Sequence, residues 1–253
     1  MAKIALITGA TSGIGEACAH VFAREGYDLV LTGRRLDRLE KLAAHLNSKH
    51  NTEVAVSSFD VRNREEVINN LEQLPSRWKK VNVLVNNAGL SKGLDPLQNG
   101  SYDDWDTMID TNIKGLLYVS RVVSNWMIDN GKGHIINLGS IAGKEVYANG
   151  NVYCATKFAV DALNKGMRID LLQHGIRVTA VHPGAVETEF SEVRFNGDKQ
   201  RAKKVYDGFE PLVAEDVAET IWFAASRPAH VNINELIITP TAQAGVNNLF
   251  RKS

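Results

Sequence analysis

The chain has 253 residues, long enough for one α/β domain with a large core. Hydrophobic residues make up 44%, an ordinary globular share, and 29 Lys plus Arg balance 29 Asp plus Glu. That balance gives no support to a nucleic-acid or anionic-membrane partner, and no apolar run approaches the roughly 18 residues of a spanning helix. No charged-then-apolar leader precedes the first strand, and Cys18 and Cys154 form no disulfide framework, so a reducing cytoplasm is the expected setting.

Lys3 to Thr8 is a short apolar, β-branched run that reads as a buried parallel strand. It leads into Gly9-Ala10-Thr11-Ser12-Gly13-Ile14-Gly15, and an amphipathic helix follows with Ile14, Ala17, Cys18, Val21 and Phe22 on its apolar side. Strand, glycine turn and helix are the context a dinucleotide site requires. Gly9 permits the tight turn, Gly13 lets backbone approach a pyrophosphate, and Gly15 lets helix and strand pack closely. The helix N-terminus offers unpaired N–H groups to phosphates.

Further strands are expected near 28–32, 53–58, 81–86, 134–139, 176–182 and 235–239. Helices are expected near 13–26, 36–49, 63–74, 103–130, 151–174 and 214–226. This alternation predicts one domain over 1–253, a Rossmann-type doubly wound, seven-stranded parallel sheet with helices on both faces. One long irregular stretch runs from Ala185 to Leu212, and its aromatic content argues against disorder.

The second strand ends in Gly33-Arg34-Arg35, with no carboxylate at its tip to bind ribose hydroxyls. Two guanidiniums suit a dianionic 2′-phosphate, so NADP is expected rather than NAD. Asp60-Val61 follows the third strand, where an N-cap for the helix at Asn63 is the alternative role. Tyr153 and Lys157 stand one helical turn apart on the same face. A phenol ordinarily loses its proton near pH ~10. A unit charge about 4 Å away, at an effective dielectric of about 20, is worth roughly 4 kcal/mol, or about three pK units, as an upper bound. That would bring Tyr153 close to neutral pH. The seven histidines lack ligand spacing, and no metal is expected.

The spacing Thr8-Gly9-x-x-x-Gly13-x-Gly15 resembles the short-chain dehydrogenase/reductase family. The other signatures occur in order: Asn86-Asn87-Ala88-Gly89, Asn112, Ser140, Tyr153 with Lys157, then Pro183-Gly184 and Thr188. The resemblance covers nearly the whole chain and implies an NADP-linked oxidoreductase acting on a small molecule. It implies that Tyr153 exchanges the proton, Lys157 lowers its pK and bonds the nicotinamide ribose, Ser140 orients the substrate oxygen, and Asn112 anchors a water. It implies cofactor contacts from Gly9, Thr11, Ser12, Gly13, Ile14, Gly15, Asp60, Val61, Asn87, Ala88, Gly89, Pro183, Gly184, Val186 and Thr188. It also implies a lid over the substrate near 185–212 and a homotetramer paired through the helices at 103–130 and 151–174.

Several stretches resemble a narrower branch, the NADP-dependent 3-hydroxy acid dehydrogenases that also act on serine and allo-threonine. The most distinctive are Thr188 to Phe195 and Ala229 to Asn234. The run Pro183 to Thr188 departs from branch forms that carry two glycines before the threonine, being one residue shorter. A broad carbonyl or 3-oxoacyl reductase, and a dinucleotide-binding regulatory protein without catalysis, are the alternatives. An acid substrate needs a cation. Arg194 is the first candidate, Lys144 the second, and a salt bridge from Arg194 to Glu189 or Glu192 is the competing role.

Overall fold

The structure, a computed structural model, describes residues 2–252. In chain order the main elements are β1 (Lys3–Thr8), α1 (Gly13–Arg24), β2 (Tyr27–Gly33), α2 (Leu36–His50), β3 (Val54–Ser58), α3 (Arg64–Glu72), β4 (Val81–Asn86), α4 (Tyr102–Ile109), α5 (Leu116–Asp129), β5 (Gly133–Leu138), α6 (Asn151–Asp170), β6 (Ile176–Pro183), α7 (Phe190–Arg194), α8 (Lys199–Lys204), α9 (Ala214–Ala225) and β7 (Glu235–Ile238).

Seven parallel strands form one sheet in the order β3-β2-β1-β4-β5-β6-β7. The central strands are buried almost throughout because helices cover both faces, which is why they read as continuous apolar runs. On one face Phe22, Leu39, Leu46 and Ile221 pack with Ile7 and Leu31. On the other, Leu71, Val123, Trp126 and Met127 pack with Leu6 and Leu84. Chain order reverses between β1 and β4, and a crevice opens beyond the strand ends at that switch point.

A ladder of neutral side chains crosses the middle of the second face. Asn86 Nδ2 donates to Ser120 Oγ at 2.8 Å and to Asn137 Oδ1 at 2.9 Å, and Asn137 Nδ2 donates to Asn164 Oδ1 at 3.0 Å. All four residues are buried, so these bonds tie β4 and β5 to α5 and α6 out of reach of water.

Three expectations need correction. The helix near 103–130 is not uniform: a π-helical stretch, Asp110–Gly115, separates α4 from α5. Asp60 is not the N-cap of α3. Asn63 fills that place, accepting from the Glu65 and Glu66 N–H groups, while Asp60 accepts from Arg62. The stretch 185–212 is not irregular, since it contains α7 and α8. Its two ends are hydrogen-bonded to each other, Glu187 N to Leu212 O at 2.9 Å and Leu212 N to Ala185 O at 3.0 Å. Such closure makes a compact excursion from the sheet rather than a free loop.

The apolar excess on α5 is mostly absorbed within the monomer: Leu116, Val119, Val122, Val123, Trp126 and Met127 are all buried. Ile109, Leu117, Phe158, Ile169 and Leu172 remain exposed on the α4–α6 side, and Phe223, Ile237 and Phe250 on the side of edge strand β7.

Helix α1 approaches the β1 turn so closely that a Cβ at Gly15 would meet Gly9 O at 2.3 Å and Asn87 Nδ2 at 2.4 Å. Both are fixed, one being backbone and the other hydrogen-bonded. Gly15→Ala should therefore lower stability by about 1–3 kcal/mol, the cost of overpacking. Urea unfolding should show a lower midpoint with an unchanged slope.

Candidate active site

The crevice begins at the glycine turn. Gly9 has φ +68° and Gly13 φ +56°, backbone that side chains rarely adopt, so glycine is required at both. The turn is tied to β4 from beneath. Thr8 Oγ1 accepts from Asn87 N and Ala88 N, both at 3.0 Å, and Asn87 Nδ2 donates to Thr8 O at 2.9 Å and Gly9 O at 3.2 Å. Ser12, at the N-cap of α1, makes no capping bond with its side chain, so the first N–H groups of the helix face the crevice.

The two arginines at the tip of β2 are not equivalent. Arg35 donates to Thr11 Oγ1 at 3.0 and 2.7 Å and to Ser12 Oγ at 2.8 Å. Its remaining edge meets Glu189 Oε2 at 3.0 Å, and Arg38 meets Glu189 Oε1 at 2.8 Å. Arg34 makes no such side-chain bond among the described residues. Glu189 therefore belongs to these arginines and not to Arg194.

The catalytic candidates converge at the ends of β5 and α6. Ser140 follows β5 and accepts from Ala142 N at 3.1 Å, which opens a 3-10 turn. Tyr153 and Lys157 are buried on the first turns of α6. Lys157 Nζ donates to Leu138 O at 3.0 Å and lies 5.9 Å from the centroid of the Tyr153 ring. Burial lowers the Lys157 ammonium to about 8. The expectation of a near-neutral Tyr153 is corrected here. Burial, reinforced by Tyr147, raises the phenol above its ordinary value, and Arg194 and Ser140 oppose that rise only in part. Lys157 is itself desolvated, and burial rather than a neighbouring charge dominates the phenol here.

Asn112 lies in the π-helical stretch, with its side chain hydrogen-bonded through both amide atoms. Its Oδ1 accepts from Leu90 N at 2.9 Å, and its Nδ2 donates to Leu90 O at 2.8 Å and Thr156 Oγ1 at 3.0 Å. It braces the chain after Gly89 against α6.

Arg194, at the end of α7, lies over the Tyr153 ring at 5.2 Å and near Phe190 at 5.5 Å. It donates to Ser91 Oγ at 3.0 Å and to the Tyr147 hydroxyl. No carboxylate pairs with it among the described residues. Lys144 is excluded as a substrate cation, because it bridges Asp161 at 2.9 Å and Glu235 at 2.6 Å. Those two carboxylates and buried His182 offer atoms within 4.8 Å of one another, a grouping drawn from α6, β6 and β7 that sequence spacing misses. The Lys144 ammonium bridges both carboxylates and already supplies the positive charge.

One cleft of about 310 Å³ joins these parts. Gly9, Thr11, Ser12, Gly13, Ile14, Arg34, Arg35, Asp60, Val61, Asn87, Ala88, Gly89, Ser140, Tyr153, Lys157, Pro183, Gly184, Val186 and Thr188 all line it. Gly15, Asn112 and Arg194 do not, serving packing, bracing and the roof. Phe59, Thr111, Glu189, Phe190 and Val193 line it without having been singled out as contacts. Thr111 carries a buried, unpartnered hydroxyl. These residues fit a dinucleotide with an extra phosphate. The turn admits no side chain, the helix end presents N–H groups, and the tip of β2 carries guanidiniums where a ribose-binding carboxylate would stand.

A lysine whose folded pKa lies below its unfolded value takes up a proton on unfolding between the two. Stability therefore rises with pH from about 8 towards the ordinary lysine value of 10.5. Without cofactor, the wild type should gain stability relative to Lys157→Met as pH rises through that window. Thermal melts at pH 7 and pH 10 measure the difference, and a pH-independent gap would contradict the assignment.

The family model described as short chain dehydrogenase matches residues 3–199. The NADP-dependent 3-hydroxy acid dehydrogenase YdfG of Salmonella typhi is 46% identical over 242 residues, covering 95% of this chain and 96% of that protein. Sulfoacetaldehyde reductase 2 of Chromohalobacter salexigens is 47% identical, covering 96% of each chain. The closed form of a serine dehydrogenase complexed with NADP+ superposes with a TM-score of 0.91 at 44% identity, covering 98% of this chain and all of that one. The chain belongs to the short-chain dehydrogenase family.

Proposed function

We propose that the protein is an NADP-dependent dehydrogenase that interconverts a short 3-hydroxy acid, or a hydroxy amino acid, and the corresponding ketone. The observation that carries the substrate class is Arg194, a cation without a carboxylate partner beside the ring of Tyr153. An acid group on the substrate would supply that partner. The sulfonate of sulfoacetaldehyde, the compound named in one relative, carries the same charge and is the second reading.

NADP, when bound, donates or accepts the hydride. Gly13, Ser12 and the α1 N-terminus would hold its phosphates, Arg34 and Arg35 its 2′-phosphate, Asp60 and Val61 its adenine, and Pro183, Gly184, Val186 and Thr188 its nicotinamide end. Tyr153 gives its proton to the substrate oxygen in reduction and takes it back in oxidation, while Ser140 donates to the same oxygen and fixes its direction. A phenol that burial keeps protonated is suited to the first role. Lys157, near 8, gains and loses its proton close to neutral pH and restores that of Tyr153. Phe190 and Val193, on the lid formed by 185–212, exclude water above the reacting carbon.

The protein is a single catalytic domain and assembles as a homotetramer with closed symmetry. One interface covers Leu117, Phe158, Ile169 and Leu172, and the other covers Phe223, Ile237 and Phe250 along edge strand β7. A cytoplasmic setting accords with two free, buried cysteines.

Tyr153→Phe should retain NADPH binding and lose several orders of magnitude in kcat, since it removes the proton route and little volume. Near-normal turnover would reject the role. Arg194→Ala should lower kcat/KM for 3-oxo acids and 3-hydroxy acids by roughly ten- to a hundredfold, the worth of one charged bond, and spare neutral ketones of similar size. An equal loss on both would leave Arg194 an ordering residue of the lid and favour the broad reductase. Light scattering at micromolar concentration should give four times the monomer mass of 27.8 kDa.

A further inference from the structure

Glu189 is the N-cap residue of α7 within the lid, and its carboxylate reaches into the rim of the cofactor cleft. Each of its oxygens takes a different guanidinium, Arg35 at 3.0 Å and Arg38 at 2.8 Å. Arg35 is in turn held on the glycine turn by Thr11 and Ser12. Two guanidiniums and two hydroxyls converging beside a helix N-terminus make a cradle for an anion. The anion in it is a side chain of the protein itself. Burial alone would raise the Glu189 carboxyl, but the bonds from Arg38 and Arg35 outweigh it and hold the group below the usual carboxylate range.

We infer that Glu189 is an internal competitor of the cofactor's 2′-phosphate: its carboxylate occupies the Arg35–Arg38 cradle and fastens the lid to the glycine turn, and the phosphate takes Arg35 from it. The inference rests on the NADP reading above and adds the residue that couples the phosphate to the lid. The charges support the exchange. Arg34, Arg35 and Arg38 bring three positive charges to one rim, and the carboxylate offsets one of them. A phosphate brings nearly two negative charges and three acceptor oxygens, against one charge and two oxygens for the carboxylate. It therefore wins the guanidinium that already faces the turn. The displaced carboxylate has Glu16 as a neighbour, whose own carboxyl is raised by burial and then by Glu189, so a stay close to the cradle is disfavoured. The lid loses its tether at the phosphate end while its contacts from Arg194 to Ser91 and Tyr147 persist at the substrate end.

Two fragments separate the terms: 2′,5′-ADP carries the 2′-phosphate and 5′-AMP lacks it. Calorimetry on the whole chain should show Glu189→Gln binding 2′,5′-ADP roughly five- to tenfold more tightly than wild type, the worth of one half-exposed charged bond. Binding of 5′-AMP should be unchanged. Trypsin cleavage in α8, at Lys199, Arg201, Lys203 or Lys204, should quicken in the wild type when 2′,5′-ADP is added and not when 5′-AMP is added. In Glu189→Gln it should be quick from the start. Unchanged or weaker 2′,5′-ADP binding by Glu189→Gln, an equal gain for 5′-AMP, or cleavage indifferent to 2′,5′-ADP would overturn the inference. Wild type binding both fragments equally would instead sink the NADP reading itself, so the two failures are distinguishable.

Discussion

The site depends on one close approach, the point where α1 lies against the end of β1 beneath the side chain of Asn87. There the amide of Asn87 bonds the carbonyls of Thr8 and Gly9, and a single added carbon at Gly15 would strike both Gly9 O and that amide. Close contact is what brings the first turn of a helix to the mouth of a parallel sheet. It also fuses β1 to β4, the two strands between which the order of the sheet reverses. Everything downstream, including the uncapped first turn of α1 and the position of Arg35 on the turn, is referred to this joint.

Charge is the second organising quantity. The chain is neutral as a whole, and its cleft sets Lys157 at the base and Arg34 and Arg35 at the rim, with Arg194 above, against the carboxylates of Asp60 and Glu189. Each cation is held differently. Lys157 is desolvated with only a carbonyl for company, Arg194 rests on aromatic rings and two hydroxyls, and Arg35 is shared between the turn and Glu189. A dinucleotide and an acid substrate together bring the complementary charge, so the neutral total conceals a strongly polarised groove.

The sheet, its helices and the glycine turn were legible because each rests on local pattern. Buried strands read as apolar runs, α1 as a periodic stripe, and the turn as spaced glycines. The catalytic candidates were legible for the same reason, Tyr153 and Lys157 being one turn apart on one helix. What spacing could not supply was contact between distant segments. Glu189 and Arg35 are far apart in the chain, as are Lys144 and Glu235, and no periodicity links them. The pK of Tyr153 was misjudged because helical spacing reports a shared face and says nothing of burial, which dominates here. The helical content of 185–212 escaped because α7 and α8 are a turn or so long, too short to show a period.

The ladder from Asn86 through Asn137 to Asn164 has a consequence for a protein whose work is moving protons. Amides and the Ser120 hydroxyl neither gain nor lose charge across the range in which Lys157 and Tyr153 do. The struts joining β4 and β5 to the helix that carries Tyr153 and Lys157 are therefore blind to acidity. A carboxylate or imidazole in any rung would make the spacing of the frame follow the same variable as the reaction. With amides there, the proton can come and go on Lys157 while the geometry that receives it stays still.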